Sequence, residues 1–243
     1  MDALGIEPAG ETVRPAWGQR RILQRAAGHA DERDVRPWIV LVLLAASAAV
    51  AVRHAMGHQH KVLIPLLLVP ALFLGWQEWS FRQDQQTFSA VASRIAGKDV
   101  QIQCQRFTGA LVDATAEAGY VYFDADGVPD TTGRLERNAC NDLRDWLHSD
   151  KSNPTLKQVI AVHVLGHESY HLAGIRSESQ TECSAMQRLD EVAEWLGATP
   201  EQARTLAERY ARDVYPLMPS DYTDSECRDG GELDVAPDDP AWP

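Results

Sequence analysis

Two apolar stretches without a charged residue dominate the first third of the chain. They cover residues 37–52 (PWIVLVLLAASAAVAV) and 62–76 (VLIPLLLVPALFLGW), and a short histidine-rich segment, 53–61, separates them. Each is shorter than the roughly 20 apolar residues that comfortably cross a bilayer. Tryptophans mark their ends, as is typical of membrane interfaces: Trp38, Trp76 and Trp79. We therefore predict two hydrophobic membrane segments, at about 38–54 and 62–76, that form a hairpin.

The charges that flank these stretches and the cysteines later in the chain give opposing indications of sidedness. Residues 1–36 carry six arginines and no sustained apolar period, which predicts a disordered arm. The turn between the stretches has only Arg53 and Lys61, so the positive-inside rule keeps the arm in the cytoplasm. Two crossings would return the rest of the chain to the cytoplasm, whereas a single crossing would export it. We expect a cell-membrane location with the domain that follows these stretches on the extracytoplasmic side, as the cysteines described below favour.

Beyond the apolar stretches the pattern predicts a folded domain. Apolar residues at helical spacing predict a juxtamembrane helix over 80–98; they are Phe81, Phe88, Val91 and Ile95. Alternation of polar and apolar residues predicts a strand at 99–107 (DVQIQCQRF), and an aromatic run predicts another at 119–127 (GYVYFDADG). We expect these two strands to pair in a short antiparallel sheet.

Helix periodicity and end signals predict the remaining elements. A short helix is expected at 138–148, and a long one from about 155 to Gly174, since glycine commonly ends helices. Ser177 is a suitable N-cap for the next helix, which is expected to extend as far as Trp195, and Thr199-Pro200 opens a last helix. The fold is therefore predicted to be α+β and mainly helical, with a domain at 99–220 and a C-terminal tail, 221–243, that wraps around its surface.

The negative charge of the chain is concentrated after the apolar stretches. From Gln77 onward there are fifteen Lys and Arg against twenty-nine Asp and Glu, while the whole chain has a net charge of -12. An acidic domain repels phosphate backbones, so we expect no nucleic-acid partner.

All four cysteines follow the apolar stretches: Cys104, Cys140, Cys183 and Cys227. An even number in one part of the chain indicates two disulfides on an oxidising side of a membrane. Four buried thiols in a reducing compartment are the alternative. Because no two cysteines have CxxC spacing, neither a cysteine zinc knuckle nor a thioredoxin-type pair is supported.

The segment HVLGHESYHLAG, at 163–174, carries the candidate chemistry. Residues four apart share a helix face, so His167 and His171 of the HExxH motif can reach one ion. Neutral imidazole is a natural zinc ligand. Glu168 follows the first histidine and is placed to act as catalytic base toward a water that the metal activates. We therefore predict one Zn²⁺ with His167 and His171 as ligands and Glu168 as the catalytic residue.

A third ligand must come from outside the motif, since a catalytic zinc usually has three protein ligands and an open position. In HExxHxxGxxH proteins a histidine follows the glycine, but here that position is Ser177. Glu178 and Glu182 lie at the start of the next helix, which can return toward the metal. We predict Glu178 as the third ligand and keep Glu182 in reserve, either as a ligand or as a group that supports one.

Two further residues are predicted to lie close to the metal without binding it. His163 is one helical turn before His167 and belongs to the same stripe, so we expect it to neighbour the site. Tyr170 lies inside the motif and is a candidate to assist a tetrahedral intermediate, although tyrosine at that position usually packs.

Two stretches resemble a family of bacterial membrane-associated or exported minimal zincin-like proteins with an HExxH motif. They are HVLGHESYHLAGIRSESQTECSAMQ (163–187) and SECRDGGELDVAPDDPAWP (225–243). The resemblance implies a metallopeptidase-like domain with the ligand and base roles given above. It also implies that Cys183 pairs with Cys227, which leaves Cys104 for Cys140.

These observations lead to two functional hypotheses. The first is a membrane-anchored zinc metallopeptidase that acts on a peptide or protein substrate and contacts the lipid bilayer. The alternative is a non-catalytic, membrane-bound interaction module in which the metal is structural and four protein ligands close the site.

Overall fold

The computed structural model describes residues 36–55, 63–105 and 118–237. Its helices are α1 (Arg36–Ala55), α2 (Leu63–Ala96), α3 (Arg137–Leu147), α4 (Leu156–Ala173), α5 (Glu178–Gln187), α6 (Leu189–Trp195) and α7 (Pro200–Asp213), followed by a 3₁₀ helix (Tyr215–Leu217). Its strands are β1 (Gln101–Cys104), β2 (Gly119–Phe123) and β3 (Pro129–Leu135). The mainly helical α+β class is confirmed. The predicted arm up to residue 35, most of the histidine-rich turn and the end of the tail lie outside the described residues.

The two apolar helices, α1 and α2, pack against each other. Gly75 of α2 faces α1, since a Cβ at that position would lie 3.8 Å from Cγ1 of Val40. Many large apolar side chains of the pair are exposed, among them Trp38, Phe73 and Trp76. In the ranges that the structure describes, no helix combines the length and the apolar character needed to span a membrane. The predicted membrane hairpin is therefore not confirmed.

α2 runs without interruption from the second apolar stretch into the folded domain. The sequence predicts a membrane segment that ends near residue 76 and a separate helix over 80–98, but both belong to this one helix of 34 residues. Its polar half binds the outer edge of β1. Ser89 Oγ accepts a hydrogen bond from the backbone N–H of Ile102 at 2.9 Å, and Gln85 Oε1 accepts one from that of Cys104 at 2.8 Å.

The sheet has the strand order β1-β3-β2 and mixed pairing. β2 and β3 are antiparallel, but β1 and β3 are parallel. The prediction of an antiparallel sheet of two strands is wrong because a third strand lies between them. That strand, PDTTGRL, is mostly polar and contains a glycine, so it lacks the alternation that marks a half-buried strand.

α4 is the central element of the domain. The sheet covers one side of it, and α2, α3, α6 and α7 contact it elsewhere. Both of its predicted ends are confirmed: Thr155 forms a capping box with Gln158, and Gly174 adopts the left-handed conformation with φ 109°. From Val159 to Leu172 most of the helix is buried, so its polar side chains must find partners inside the protein.

The helix predicted to start at Ser177 is two helices. Ser177 caps α5 as expected, with its side chain accepting from the N–H of Gln180. The helix is interrupted at Arg188, and α6 begins at the next residue. The disulfide pairing implied by the resemblance is confirmed. Cys104 of β1 is bonded to Cys140 of α3, and Cys183 of α5 is bonded to Cys227 of the tail.

Candidate metal centre

The two motif histidines face each other across one turn of α4. Both are buried, with 6% of His167 and 2% of His171 exposed. Their Nε2 atoms lie 3.1 Å apart, so the rings converge on one point.

Glu178 approaches the same point from α5. The turn that begins at Gly174 reverses the chain, and Glu178 occupies the first position of the new helix. One oxygen of its carboxylate lies 3.2 Å from Nε2 of His167, and the other lies 3.3 Å from Nε2 of His171. The structure thus brings together the three residues that the sequence analysis proposes as ligands.

The opposite ring nitrogens fix the tautomer of each imidazole. Nδ1 of His171 is 2.7 Å from the carbonyl oxygen of Ile175, and Nδ1 of His167 is 3.0 Å from a carboxylate oxygen of Glu182. Because both oxygens can only accept, each Nδ1 carries the hydrogen and donates it. Both Nε2 atoms then present lone pairs, and they do so toward each other and toward the carboxylate of Glu178.

This donor set fits a divalent cation. Zinc binds imidazole nitrogen and carboxylate oxygen at about 2.0–2.2 Å, and tetrahedral geometry then places neighbouring ligand atoms about 3.3 Å apart. The two Nε2 atoms, 3.1 Å apart, have this spacing, and each lies 3.2 or 3.3 Å from a different oxygen of the Glu178 carboxylate. One ligand atom from each of the three residues lies within 4.8 Å of the other two. Lone pairs and a carboxylate this close repel one another in a buried site, and a bound cation makes the arrangement favourable. These residues could hold a metal ion, and they do not select zinc, because iron and manganese accept the same ligands.

Glu182 lies behind His167 and links three side chains. One of its oxygens accepts from His163 Nε2 at 2.9 Å as well as from His167, and the other accepts from the hydroxyl of Tyr210. Only 1% of Glu182 is exposed. Burial opposes its ionisation, but the electrostatic interaction with His163 and the hydrogen bonds from His163 and His167 outweigh it and hold the pKa of Glu182 well below its usual value. Glu182 is therefore a buried anion that orients His167, an arrangement common behind metal-binding histidines.

His163 belongs to this deeper polar layer. Its ring stacks on that of Tyr210, with centroids 3.7 Å apart. Together with His167 and Glu182 it forms a second group of donors close enough to hold an ion. The contacts within that group are at hydrogen-bond distance, and Nδ1–H of His167 already points at Glu182, so hydrogen bonds account for them.

Glu168 lies on the sheet side of α4. It is 5% exposed, and β2 passes directly over it. A Cβ at Gly119 would come within 2.8 Å of Cγ and 2.9 Å of Oε1 of Glu168. Gly119 therefore provides the space that the carboxylate occupies. The role of Gly119 is not predicted from the sequence, where its only signal is a glycine at the start of an aromatic strand.

Two aromatic rings form walls beside the ligands, and neither is identified by the sequence analysis. Phe123 of β2 meets His171 edge-on at 6.0 Å, and Tyr222 of the tail lies 5.8 Å from His167. Tyr170 is not one of these two wall residues.

Burial raises the pKa of the Tyr170 hydroxyl to about 12, and the charges of Arg188 and Glu191 act on this pKa to a smaller extent.

Comparison of the chain with protein-family models, with curated proteins and with solved structures found no match. The assignment of the site consequently depends on its own residues. They offer three converging ligand atoms, an oriented pair of imidazoles and a buried carboxylate next to the first ligand, which is the set that metal-assisted hydrolysis requires.

Proposed function

We propose that this chain is a membrane-anchored, zinc-dependent metallopeptidase-like protein that hydrolyses peptide bonds. The observation that carries the proposal is the convergence of His167, His171 and Glu178. The two Nε2 atoms lie 3.1 Å apart, and each lies 3.2 or 3.3 Å from one of the two oxygens of the Glu178 carboxylate. A structural zinc site needs four protein ligands, whereas a catalytic site has three and keeps a position for substrate or water. The zincin-like family resemblance of the motif agrees with the catalytic type.

The side chains have distinct roles in the proposed reaction. Zinc held by the three ligands would supply Lewis acidity that activates water toward a peptide carbonyl. Glu168 takes the proton of the attacking water and returns it to the leaving amine. Its burial beneath β2 limits its motion, so the proton acceptor is held in place before the substrate arrives. Glu182 keeps His167 in the tautomer that presents Nε2.

The proposed membrane anchor is the exposed apolar surface of α1 and α2. Contiguous apolar patches larger than a few hundred Å² are rare on monomeric soluble proteins, and contact with lipid would remove these side chains from water. The two disulfides support an oxidising environment for the domain. The exposed apolar surface and the disulfides together favour an extracytoplasmic domain attached to the cell membrane.

The alternative is an interaction module with a structural metal. The second group of possible metal ligands, His163, His167 and Glu182, favours this alternative because further ligands would be available nearby. However, Glu182 approaches His167 at Nδ1, on the far side of the ring from the Nε2 that faces Glu178. A single ion therefore cannot use Glu182 and this Nε2 together, which leaves the first group with three protein ligands.

Metal analysis combined with a cleavage assay tests the proposal. Full-length protein should contain one zinc per chain, and a fluorogenic peptide library should be cleaved in a manner that a hydroxamate inhibits. A chelator should abolish the cleavage, and added Zn²⁺ should restore it. One tightly bound zinc with no cleavage of any peptide and no binding of hydroxamate would favour the structural role, and the absence of metal binding would contradict both.

A further inference from the structure

The C-terminal tail brings one aromatic side chain against the metal site. Tyr222 lies beyond the 3₁₀ helix, is 6% exposed, and tilts its ring by 31° against that of His167 at 5.8 Å. The described part of the tail has no helix or strand after Leu217. The position of Tyr222 therefore depends on what holds this irregular segment to the domain.

A disulfide attaches the tail to the helix that carries the site's carboxylates. Cys227, five positions after Tyr222, is bonded to Cys183. Cys183 directly follows Glu182 and lies on the same short helix as Glu178. The bond thus connects the tail segment that carries Tyr222 to α5, the helix that carries Glu178 and Glu182.

Gln187 provides a second attachment one turn further along α5. Its side-chain amide donates to the carbonyl oxygen of Leu233 at 2.9 Å, and its oxygen accepts from the N–H of Val235 at 2.9 Å. This polar clamp secures the end of the described tail. The disulfide lies between the clamp and Tyr222, so it is the nearer restraint on the ring.

We propose that Tyr222 is a positioning residue for His167 and that the Cys183–Cys227 disulfide keeps it in place, so that this disulfide controls how long the site retains its metal. The inference rests on the proposed metal site. An imidazole that has an aromatic ring beside it and is hydrogen-bonded at Nδ1 has less freedom to turn away from an ion. If the tail opens, the ring of His167 loses this packing, and each opening gives the metal an opportunity to leave.

The second disulfide provides a matched control. Cys104–Cys140 closes a loop of similar length, with a separation of 36 residues against 44, but joins β1 to α3 and not the tail to α5. Loss of either bond should lower thermal stability, because each restrains the unfolded chain. Only loss of Cys183–Cys227 should accelerate release of the metal.

The experiment measures release of Zn²⁺ from the full-length protein to a chromophoric chelator, at a temperature where every variant remains folded by circular dichroism. The variants are the double alanine substitutions Cys183→Ala with Cys227→Ala, and Cys104→Ala with Cys140→Ala. We expect the first to release zinc about tenfold faster than the wild type, the lower end of the effect of losing support behind a ligand. The second should release zinc at the wild-type rate. Equal rates in the two double variants would overturn the inference.

Tyr222→Ala and Tyr222→Phe separate packing from general loosening of the tail. With both disulfides intact, Tyr222→Ala should release zinc faster than the wild type, while Tyr222→Phe keeps the ring and should release it more slowly than Tyr222→Ala. Wild-type release from Tyr222→Ala would show that the ring does not position His167. A wild-type protein that takes up no zinc would remove the proposed site and this inference together, whereas a zinc-binding protein that cleaves no peptide would leave the inference standing.

Discussion

The carboxylate of Glu182 accepts the Nδ1 hydrogen of His167 at 3.0 Å, and this contact determines which nitrogen faces Glu178. Replacing Glu182 with glutamine preserves the shape of the side chain but removes its charge. We expect zinc affinity to fall by about 10–100-fold, the usual effect of losing such an outer partner. Competition with a chelator measures it. Glu201→Gln, at an exposed position of α7, is the control, and an unchanged affinity in Glu182→Gln would show that metal binding does not need a charge behind His167.

Removal of a metal ligand should weaken zinc binding more than the substitution of Glu182 does. We expect His171→Ala to lose stoichiometric zinc, because two donors remain where three converge, and metal analysis after gel filtration measures the loss. His148→Ala is the matched control. His148 pairs with Asp84 at 2.9 Å and is remote from the ligands in the chain, so this variant should keep its zinc. Full zinc content in His171→Ala would rule out His171 as a ligand.

Glu168→Gln separates metal binding from catalysis. It removes the proton acceptor and none of the three ligands, so zinc content should stay at the wild-type level. Turnover should fall by about 10²–10⁴-fold, the usual contribution of a general base. Parallel metal analysis and peptide cleavage test both statements, and wild-type turnover in Glu168→Gln would contradict the assigned role.

Gly119→Ala tests the contact between β2 and Glu168. Since the new Cβ would lie 2.8 Å from Cγ of Glu168, the glutamate must move, and we expect lower kcat with zinc retained. Gly166→Ala, immediately before the first ligand, is the control, because its Cβ would meet Val192 at an ordinary 3.5 Å. That substitution in a helix should stabilise the protein by about 0.5–1 kcal/mol. Equal kcat in the two variants would show that Gly119 does not position Glu168.

Alkaline pH should destabilise the fold partly through Tyr170. Burial raises the pKa of Tyr170 from 10.0 to about 12, so the unfolded chain loses this proton first as pH rises. The stability contribution is complete below about pH 10 and is lost progressively between about pH 10 and 12. Urea unfolding at about pH 8 and about pH 11 should show a smaller loss in Tyr170→Phe than in the wild type. The same loss in both proteins would contradict the prediction.

The sequence predicts elements well where periodicity and caps agree. Thr155 and Gly174 delimit α4, and helical spacing alone brings His167 and His171 together. Glu178 could be predicted because a short turn after a capped helix end leaves few directions for the returning chain. The disulfide pairing, in contrast, follows from the family resemblance and not from cysteine spacing.

Long-range placement could not be predicted from local pattern. β3 is polar, and its strand character comes from hydrogen bonds to both neighbouring strands, which no local window contains. Tyr222 and His167 are 55 positions apart in the chain, and the attachment of the tail to α5 brings them together. Gly119 and Glu168 are likewise distant in sequence and meet because the sheet lies on α4.

The uninterrupted course of α2 has a consequence for how the proposed enzyme would meet its substrates. At about 1.5 Å per residue, its 34 residues form a rod of roughly 50 Å whose far half is built into the domain through β1 and α4. Because the helix is continuous between its apolar half and the domain, the candidate metal site would lie at a fixed distance and in a fixed orientation relative to a surface that holds α2. A scissile bond would have to be presented at that distance, and geometry would then select substrates before any side-chain preference does.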